Sequence, residues 1–495
     1  MLYQLESERY EMRAIIFCFI SFLSIQGGFA SPAHDTLPDS VKRPTKSKSV
    51  SDSTGRFVHI NRIFIVGNRI TKDQIVLREL SLKSGDTIYS TELPIILDLD
   101  KKRLINTRLF NTVEIRMLEF LNDQVDLLID INERWYTFPA PIFELADRNF
   151  NEWWQTYDHD FKRVNYGLRL YQFNMRGRNE TLRLTAQFGF QRRFELSYRF
   201  PYIDRKQKHG LIIDFDFSET KNLADSTVDH KLRYLKTDDI LRITRGGGLT
   251  YTYRKSFYTS HALKIEYRSS TINDTVATHN PNYFGEGKTT QQFGSISYQI
   301  TSDHRDYVGY PLTGYFLTMG ISKIGITSRD DVNKLELNTT FAGFVNLKKN
   351  FFLSNNTIVY WSTPRDLAYA NFSALGYRKQ LVRGYEIYVI EGPYYLLNKT
   401  TFKKRIFSRA YTLSAMPIRQ FRYIPLSIIL KSYADVGYVR NYPNYEVSSR
   451  LANKLLTGVG AGVDIVASYD AVFRFEYTFN GEGERGFFFH IKKEF

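Results

Sequence analysis

From Thr137 onward, hydrophobic and polar positions alternate with a period of two. Leu182, Leu184, Ala186, Phe188 and Phe190 interleave with Thr181, Arg183, Thr185, Gln187 and Gly189; Phe473, Phe475, Tyr477 and Phe479 interleave with Arg474, Glu476 and Thr478. One face is aliphatic or aromatic and the other repeatedly carries full charges, which predicts strands half-buried in apolar surroundings. Sixteen such strands can be placed. Their connections alternate in length: 218–245, 269–290, 362–393 and 440–454 are long, while 174–180, 254–260 and 467–470 are short. The connections 301–313 and 407–426 are longer than this rule prefers. In a sandwich the apolar face would meet a second sheet; in a membrane barrel it meets lipid, and charges line a wet lumen. An even strand number with long and short connections in turn favours the barrel. The last strand, from Gly486 to Phe495, places Phe487, Phe489, Ile491 and Phe495 on one face, with Lys493 as the exception.

Residues 57–134 carry a different pattern. His59 to Val66 reads as a strand that stops at Gly67-Asn68. Thr71 is expected to cap a short helix through Leu80, and Ser90 or Thr91 to open a second one carrying Leu93, Ile96, Leu97, Leu104 and Leu109. Strands from Val113 to Phe120 and Gln124 to Asn132 come next, around Asn122-Asp123. The expected fold class is therefore mainly β: a small α+β domain at 57–134 and a 16-stranded antiparallel transmembrane barrel at 135–495.

Composition and charge refine this picture. The chain has 495 residues, a net charge of +15, 15% aromatics and a single cysteine. One cysteine excludes a disulfide scaffold and Cys-rich zinc modules. The apolar run Ala14 to Ile25 is too short to span a bilayer as a helix. It fits a secretory leader started at Met12, with small residues at Gly28 and Ala30 before a cut at Ser31, so 1–30 is expected to be removed. Residues 31–56, rich in Ser, Thr and Pro, read as a flexible linker. The segment 57–134 is nearly neutral and the excess of positive charge lies in 135–495, spread along strands. Basic groups facing anionic lipid head groups or a polar lumen explain that better than nucleic acid, which an exported chain rarely meets.

Three motifs point to a family. Val382-Arg383-Gly384-Tyr385 lies in the longest connection, before the fifth strand from the end. Tyr433-Ala434-Asp435-Val436-Gly437 comes fifty residues on, and Asp303, Asp306, Pro311 and Gly314 mark the connection before the ninth strand. These resemble motifs of the BamA/TamA outer-membrane assembly and two-partner secretion superfamily. The unit at 57–134, with Gly67-Asn68 and Leu109-Phe110-Asn111, resembles its POTRA domain. Only one such unit is visible, whereas assembly factors of the family usually carry several. The resemblance implies an outer-membrane protein of a Gram-negative bacterium that takes unfolded outer-membrane or secreted polypeptides as clients, with accessory periplasmic proteins as further partners. The expected function is insertion of clients into the outer membrane. A polypeptide-secreting pore, a passive porin and a lipid-transfer barrel are the alternatives.

The same motifs have a physical reading. Lys431, Tyr433 and Asp435 share one face of a strand, so Asp435 points into the lumen, where a carboxylate is costly unless solvated or paired. Arg383 offers a bidentate fork if its loop folds inward, and Gly384 allows a sharp turn beside it. The resemblance implies an Arg383–Asp435 pair, with Glu386 and Glu391 as rival partners. The first strand carries Pro139 and Pro141, which lack ladder donors. If it closes against the strand ending at Phe495, the resemblance implies a lateral gate at that seam; otherwise the prolines merely end the linker from the small domain. Catalytic motifs are not apparent. Gly285 to Thr289 ends like a phosphate-binding loop, but Asn282 stands where its first glycine should be, and neither H-E-x-x-H nor G-x-S-x-G occurs. No enzyme activity, metal site or cofactor is expected.

Overall fold

The computed structural model describes residues 57–492 except 122, 146–160, 162–163, 236, 377–379, 414, 444 and 446–448. The leader, the linker and Phe495 fall outside the described residues.

The small domain runs β1 (Phe57–Val66), α1 (Asp73–Leu77), β2 (Thr87–Tyr89), α2 (Leu93–Asn106), β3 (Phe110–Leu121) and β4 (Gln124–Glu133). Its sheet has the order β2-β1-β4-β3, with β1 and β4 parallel and the other pairs antiparallel. Alternation puts Val58, Ile60, Val125, Leu127 and Ile129 on one face, where they pack against Ile75, Val76, Leu93, Leu97 and Leu104. Two local expectations need correction. Strand β2 is added at the sheet edge; three residues are too few to show a period. Thr71 does not cap α1, whose N-cap is Lys72 without a side-chain bond. The Thr71 hydroxyl instead lies 3.1 Å from the Tyr136 hydroxyl and accepts the Asn174 amide at 2.8 Å, so it ties the domain to the strands beyond residue 134.

The remaining strands are β5 (Thr137–Leu145), β6 (Val164–Met175), β7 (Glu180–Gly189), β8 (Arg192–Phe200), β9 (His209–Thr220), β10 (Ala224–Val228), β11 (Lys231–Tyr234) and β12 (Arg242–Arg254). After them come β13 (Thr259–Ile272), β14 (Thr290–Asp303), β15 (Gly314–Ile324), β16 (Lys334–Asn346), β17 (Phe351–Thr363), β18 (Ala374–Leu375) and β19 (Ile390–Glu391). The last five are β20 (Tyr394–Thr412), β21 (Tyr423–Arg440), β22 (Leu455–Val466), β23 (Val472–Asn480) and β24 (Arg485–Lys492). Sixteen of these form one sheet, every strand paired antiparallel with its neighbour, from β5 at one end to β24 at the other. The pairs β10–β11 and β18–β19 are separate ribbons within the long connections.

The alternation read from the sequence sorts the two faces. Phe215, Leu249, Ile265, Ile321, Leu337, Val459 and Phe487 stand exposed on the outer surface. On the inner face Arg268 pairs with Asp216 and Glu266. An apolar exterior around a charged interior is the barrel arrangement. At the end carrying the long connections, Leu223, Leu241, Ile272, Val276, Tyr283, Phe284 and Tyr369 gather into a cluster that also holds α3 (Asp274–His279).

The short turns lie at the other end, and the small domain sits against six of the seven. Lys72 N donates to Gly177 O, Tyr202 joins the domain's core, and the Arg103 guanidinium lies 4.0 Å from the Phe257 ring. Asn106 binds Asp306 O at 3.2 Å, Asn111 binds Gln420 O at 2.8 Å, and Arg134 meets Asp470 at 3.0 Å. Glu79 adds a bidentate pair with Arg254 at the foot of β12, both bonds 2.6 Å. Among the described residues the seventh turn, 347–350, makes no hydrogen bond, ion pair or ring contact with the domain.

Candidate functional site

The connection between β17 and β20 turns inward and ends against the inner wall. Val382 is buried with Leu375, Tyr360, Leu397, Val439 and Leu456, and Tyr385 and Tyr388 join the same cluster. That apolar seat carries Arg383 to the facing wall of β20, β21 and β23. Its Nε donates to Asp435 Oδ2 at 2.8 Å and its Nη2 to Asp435 Oδ1 at 2.5 Å, the bidentate fork that planar guanidinium geometry favours. The Arg383 backbone N–H donates to the same carboxylate at 3.1 Å. Asp435 is 1% exposed and Arg383 8%, so each charge depends on the other for solvation.

Two further contacts hold the guanidinium. Nη1 donates to Glu476 at 3.2 Å and Nη2 to the Thr401 hydroxyl at 3.2 Å, and the group stacks 3.6 Å from the Tyr433 ring centroid. The Tyr433 hydroxyl lies 2.6 Å from that of Thr478 on β23. Of the rival carboxylates, Glu386 accepts the Gly384 N–H at 2.8 Å and Glu391 accepts the Thr227 hydroxyl at 2.7 Å. Burial pushes the Glu386 carboxyl up to about 7.

Glycines make room for this contact. A Cβ on Gly458 would lie 2.0 Å from Arg383 O, and one on Gly437 would lie 2.4 Å from a Val382 methyl. A Cβ on Gly460 would lie 2.6 Å from the Tyr433 hydroxyl. The alternating Gly458, Gly460 and Gly462 of β22 therefore form a groove on the inner wall. Gly384 turns the loop tip at a φ of 93°, in the left-handed region, and its carbonyl accepts the Asn480 amide at 2.8 Å.

The ionic contacts continue toward the short turns. Lys431, on the same face as Tyr433 and Asp435, bridges Glu476 at 2.9 Å and Asp464 at 2.6 Å, and Arg474 meets Asp464 at 3.2 Å. Tyr310, from the turn between β14 and β15, donates to Asp464 at 2.8 Å. Three residues earlier in that turn, Tyr307 donates to Asp470, the partner of Arg134. Sequence reasoning passed over Glu476 and Asp464. Their parity marked them as inward-facing, but nothing local shows which inward carboxylates a folded-in arginine or lysine will meet.

At the seam, Pro139 and Pro141 lie within β5, opposite Leu170 and Leu168 of β6. Both are strand residues, paired across the ladder with β6. A proline fits a ladder when its nitrogen points away from the paired neighbour, so both face the side of β5 that looks toward the other end of the sheet. Phe495, assigned to the same seam, lies outside the described residues.

Two family models match the chain. Residues 174–495 match the family described as the Omp85 superfamily domain, and residues 58–134 match POTRA, the surface antigen variable number repeat. Outer membrane protein assembly factor BamA of Nitratidesulfovibrio vulgaris is 33% identical over 78 residues, which cover 16% of this chain and 9% of that relative's length. The crystal structure of BamA from Haemophilus ducreyi lacking POTRA domains 1–3 aligns over 87% of this chain and 84% of its own, at 16% identity and a TM-score of 0.49. CdiB from Escherichia coli aligns over 90% and 92%, at 10% identity and a TM-score of 0.49. The chain belongs to the Omp85 superfamily of outer-membrane assembly and transport proteins, its barrel in the outer membrane and its POTRA domain in the periplasm.

Proposed function

We propose that this protein inserts client polypeptides into the outer membrane, receiving them at the POTRA domain and releasing them at the β5–β24 seam. The observation that carries this reading is the loop fixed across the lumen by Arg383, Asp435 and Glu476. A passive porin needs an open lumen, and this one is crossed by an apolar-seated, ion-paired loop. Insertion at a seam leaves that loop in place, whereas a secretion conduit must move it aside. Among the described residues β3 is an edge strand of the POTRA sheet, which supports the POTRA role, since a sheet edge can take up an extended segment by strand addition. Pro139 and Pro141 weaken β5 as a partner for β24 and so favour the seam as the exit.

The two readings separate in a cross-linking test. Val382→Cys with Gly437→Cys places a cysteine pair where the loop meets the wall, and the only natural cysteine, Cys18, lies in the segment expected to be a leader. In proteoliposomes, the oxidised variant should insert an unfolded reporter barrel as fast as the reduced one. Activity that disappears on oxidation and returns with reductant would assign the protein to the conduit class.

A further inference from the structure

The turn that the POTRA domain leaves uncovered has its own chemistry. Lys348 and Lys349 occupy it, both exposed. Lys404 and Arg405 stand beside it on β20: Lys404 is the ladder partner of Phe351, and Arg405 donates its backbone N–H to Asn350 O and its Nη2 to Asn350 Oδ1, each at 3.0 Å. Arg409 lies further along the same strand. No Asp or Glu occurs in residues 345–354 or 400–412. Among the described residues none of the five cations meets a carboxylate. Elsewhere at this end the arginines are mostly neutralised: Arg176 pairs with Glu180, Arg254 with Glu79, and Arg305 with Asp303.

The surface just above the charges, on the lipid-facing side, is apolar. Val345, Leu347, Phe402 and Ile406 are all exposed there, and Phe351 stacks on Phe402 with centroids 5.4 Å apart. The Lys404 ammonium lies 4.4 Å from the Phe351 ring. Cations over aromatic rings at the boundary of an apolar band are the snorkelling arrangement of a membrane interface. The backbone makes the lysines notable as well. Lys348 and Lys349 have φ values of 69° and 46°, left-handed positions where Gly or Asn is the unstrained choice. Two lysines there cost backbone energy that a neutral Asn-Gly turn would avoid, which argues that their charge is used.

We propose that Lys348, Lys349, Lys404 and Arg409 form a docking platform for the head groups of anionic phospholipids in the periplasmic leaflet, with Leu347, Phe351 and Phe402 against the acyl chains; the Arg405 side chain turns to the lumen and only braces the turn through Asn350. The occupant is a lipid because charge and apolar surface adjoin on the barrel's outer side; an acidic peptide would have no use for the exposed Val345, Leu347 and Ile406. The platform depends on the barrel spanning the membrane and is independent of whether clients are inserted or secreted.

The test uses the full-length protein in phosphatidylcholine vesicles, with spin-labelled phosphatidylglycerol and spin-labelled phosphatidylcholine as probes of the lipid in contact with the barrel. Wild type should select phosphatidylglycerol. Lys348→Gln with Lys349→Gln and Lys404→Gln should lower that selectivity about fivefold or more, and the matching Lys→Arg triple should retain it. Arg205→Gln with Lys206→Gln and Lys208→Gln, at the turn next to Tyr202, should leave most of the selectivity intact. Inorganic phosphate at equal charge should not compete, because the acyl chains form half of the contact. Heat-dependent gel mobility confirms that each variant is folded. Unchanged selectivity in the Lys→Gln triple overturns the proposal. So does displacement by free phosphate, or a turn that cross-links an added acidic peptide while showing no lipid preference.

Discussion

At the residue scale, the contact between Arg383 and Asp435 is where one substitution says most. Both groups are buried, so removing either leaves a charge without its partner, at a cost of about 3–5 kcal/mol in a dry setting and less where the lumen is wet. Arg383→Ala and Asp435→Ala should therefore give similar losses of reporter insertion, and the double variant should be scarcely worse than either. A double-mutant cycle on insertion rate, with protease cleavage of the 364–393 connection as a second readout, measures this; additive effects would show that the two side chains act separately. Glu476 adds a complication, because Arg383→Ala also strips that carboxylate of one of its partners. Lys431 still satisfies it at 2.9 Å, so the larger burden falls on Asp435. The residues of the motif and the inward direction of Asp435 were legible in the sequence, because both rest on local spacing and strand parity. The guanidinium's second carboxylate was not, because its identity depends on how the loop crosses the lumen to reach β23.

At the scale of elements, β22 shows how a strand can act through the side chains it lacks. Gly458 gives up cross-strand side-chain packing so that a loop can approach the backbone, and Gly460 does so for the Tyr433 ring beneath Arg383. Gly458→Leu places a side chain where Arg383 O now sits, and the ladder to Asn480 on β23 holds the strand against retreat. This variant should assemble a heat-modifiable barrel while leaving the 364–393 connection open to protease; a loop as protected as in wild type would mean that the groove does not seat it. The alternation of these glycines was visible in the sequence as a strand that tolerates close approach, but the identity of the approaching segment was not. Of the long periodic elements, β5 at Thr137–Leu145 was read closely, whereas the connection expected at 407–426 shrinks to 413–422 because β20 and β21 both run on into it. Short ones were lost: β2 has three residues, and Thr71 bonds across to Asn174 rather than capping a helix. Local propensity gave way there to a tertiary partner.

Across the whole molecule, the POTRA domain and the barrel meet through many polar contacts, with Tyr202 and Phe173 of the barrel packing into the domain's core. Glu79 and Arg254 make the most symmetrical of these polar contacts, with two charge-assisted bonds on partly buried side chains. Glu79→Arg should loosen the domain from the periplasmic end, and adding Arg254→Glu should restore part of the contact. Hydrogen exchange in turn 255–258 and α1 reads this directly: protection lost in the single variant and regained in the double is the expected outcome, and no change in either would make the pair incidental. None of this interface was legible in advance, because its partners lie up to 336 residues apart and no periodicity links them.

Strands β20 and β21 outrun their neighbours. β17 begins at Phe351, opposite Lys404, and Arg405 still binds Asn350, so Phe407 to Thr412 are paired with β21 alone among the described residues. Six residues of strand reach roughly 20 Å, with one row of backbone donors and acceptors unclaimed among the described residues. Such a margin invites stray chains to add to it. The register shift between Arg405 and Phe407 kinks the row, and Arg405 and Arg409 set positive charge along it, the means by which exposed sheet margins resist unwanted pairing. A sheet margin left open at the periplasmic end is thus built to turn passing chains away rather than incorporate them.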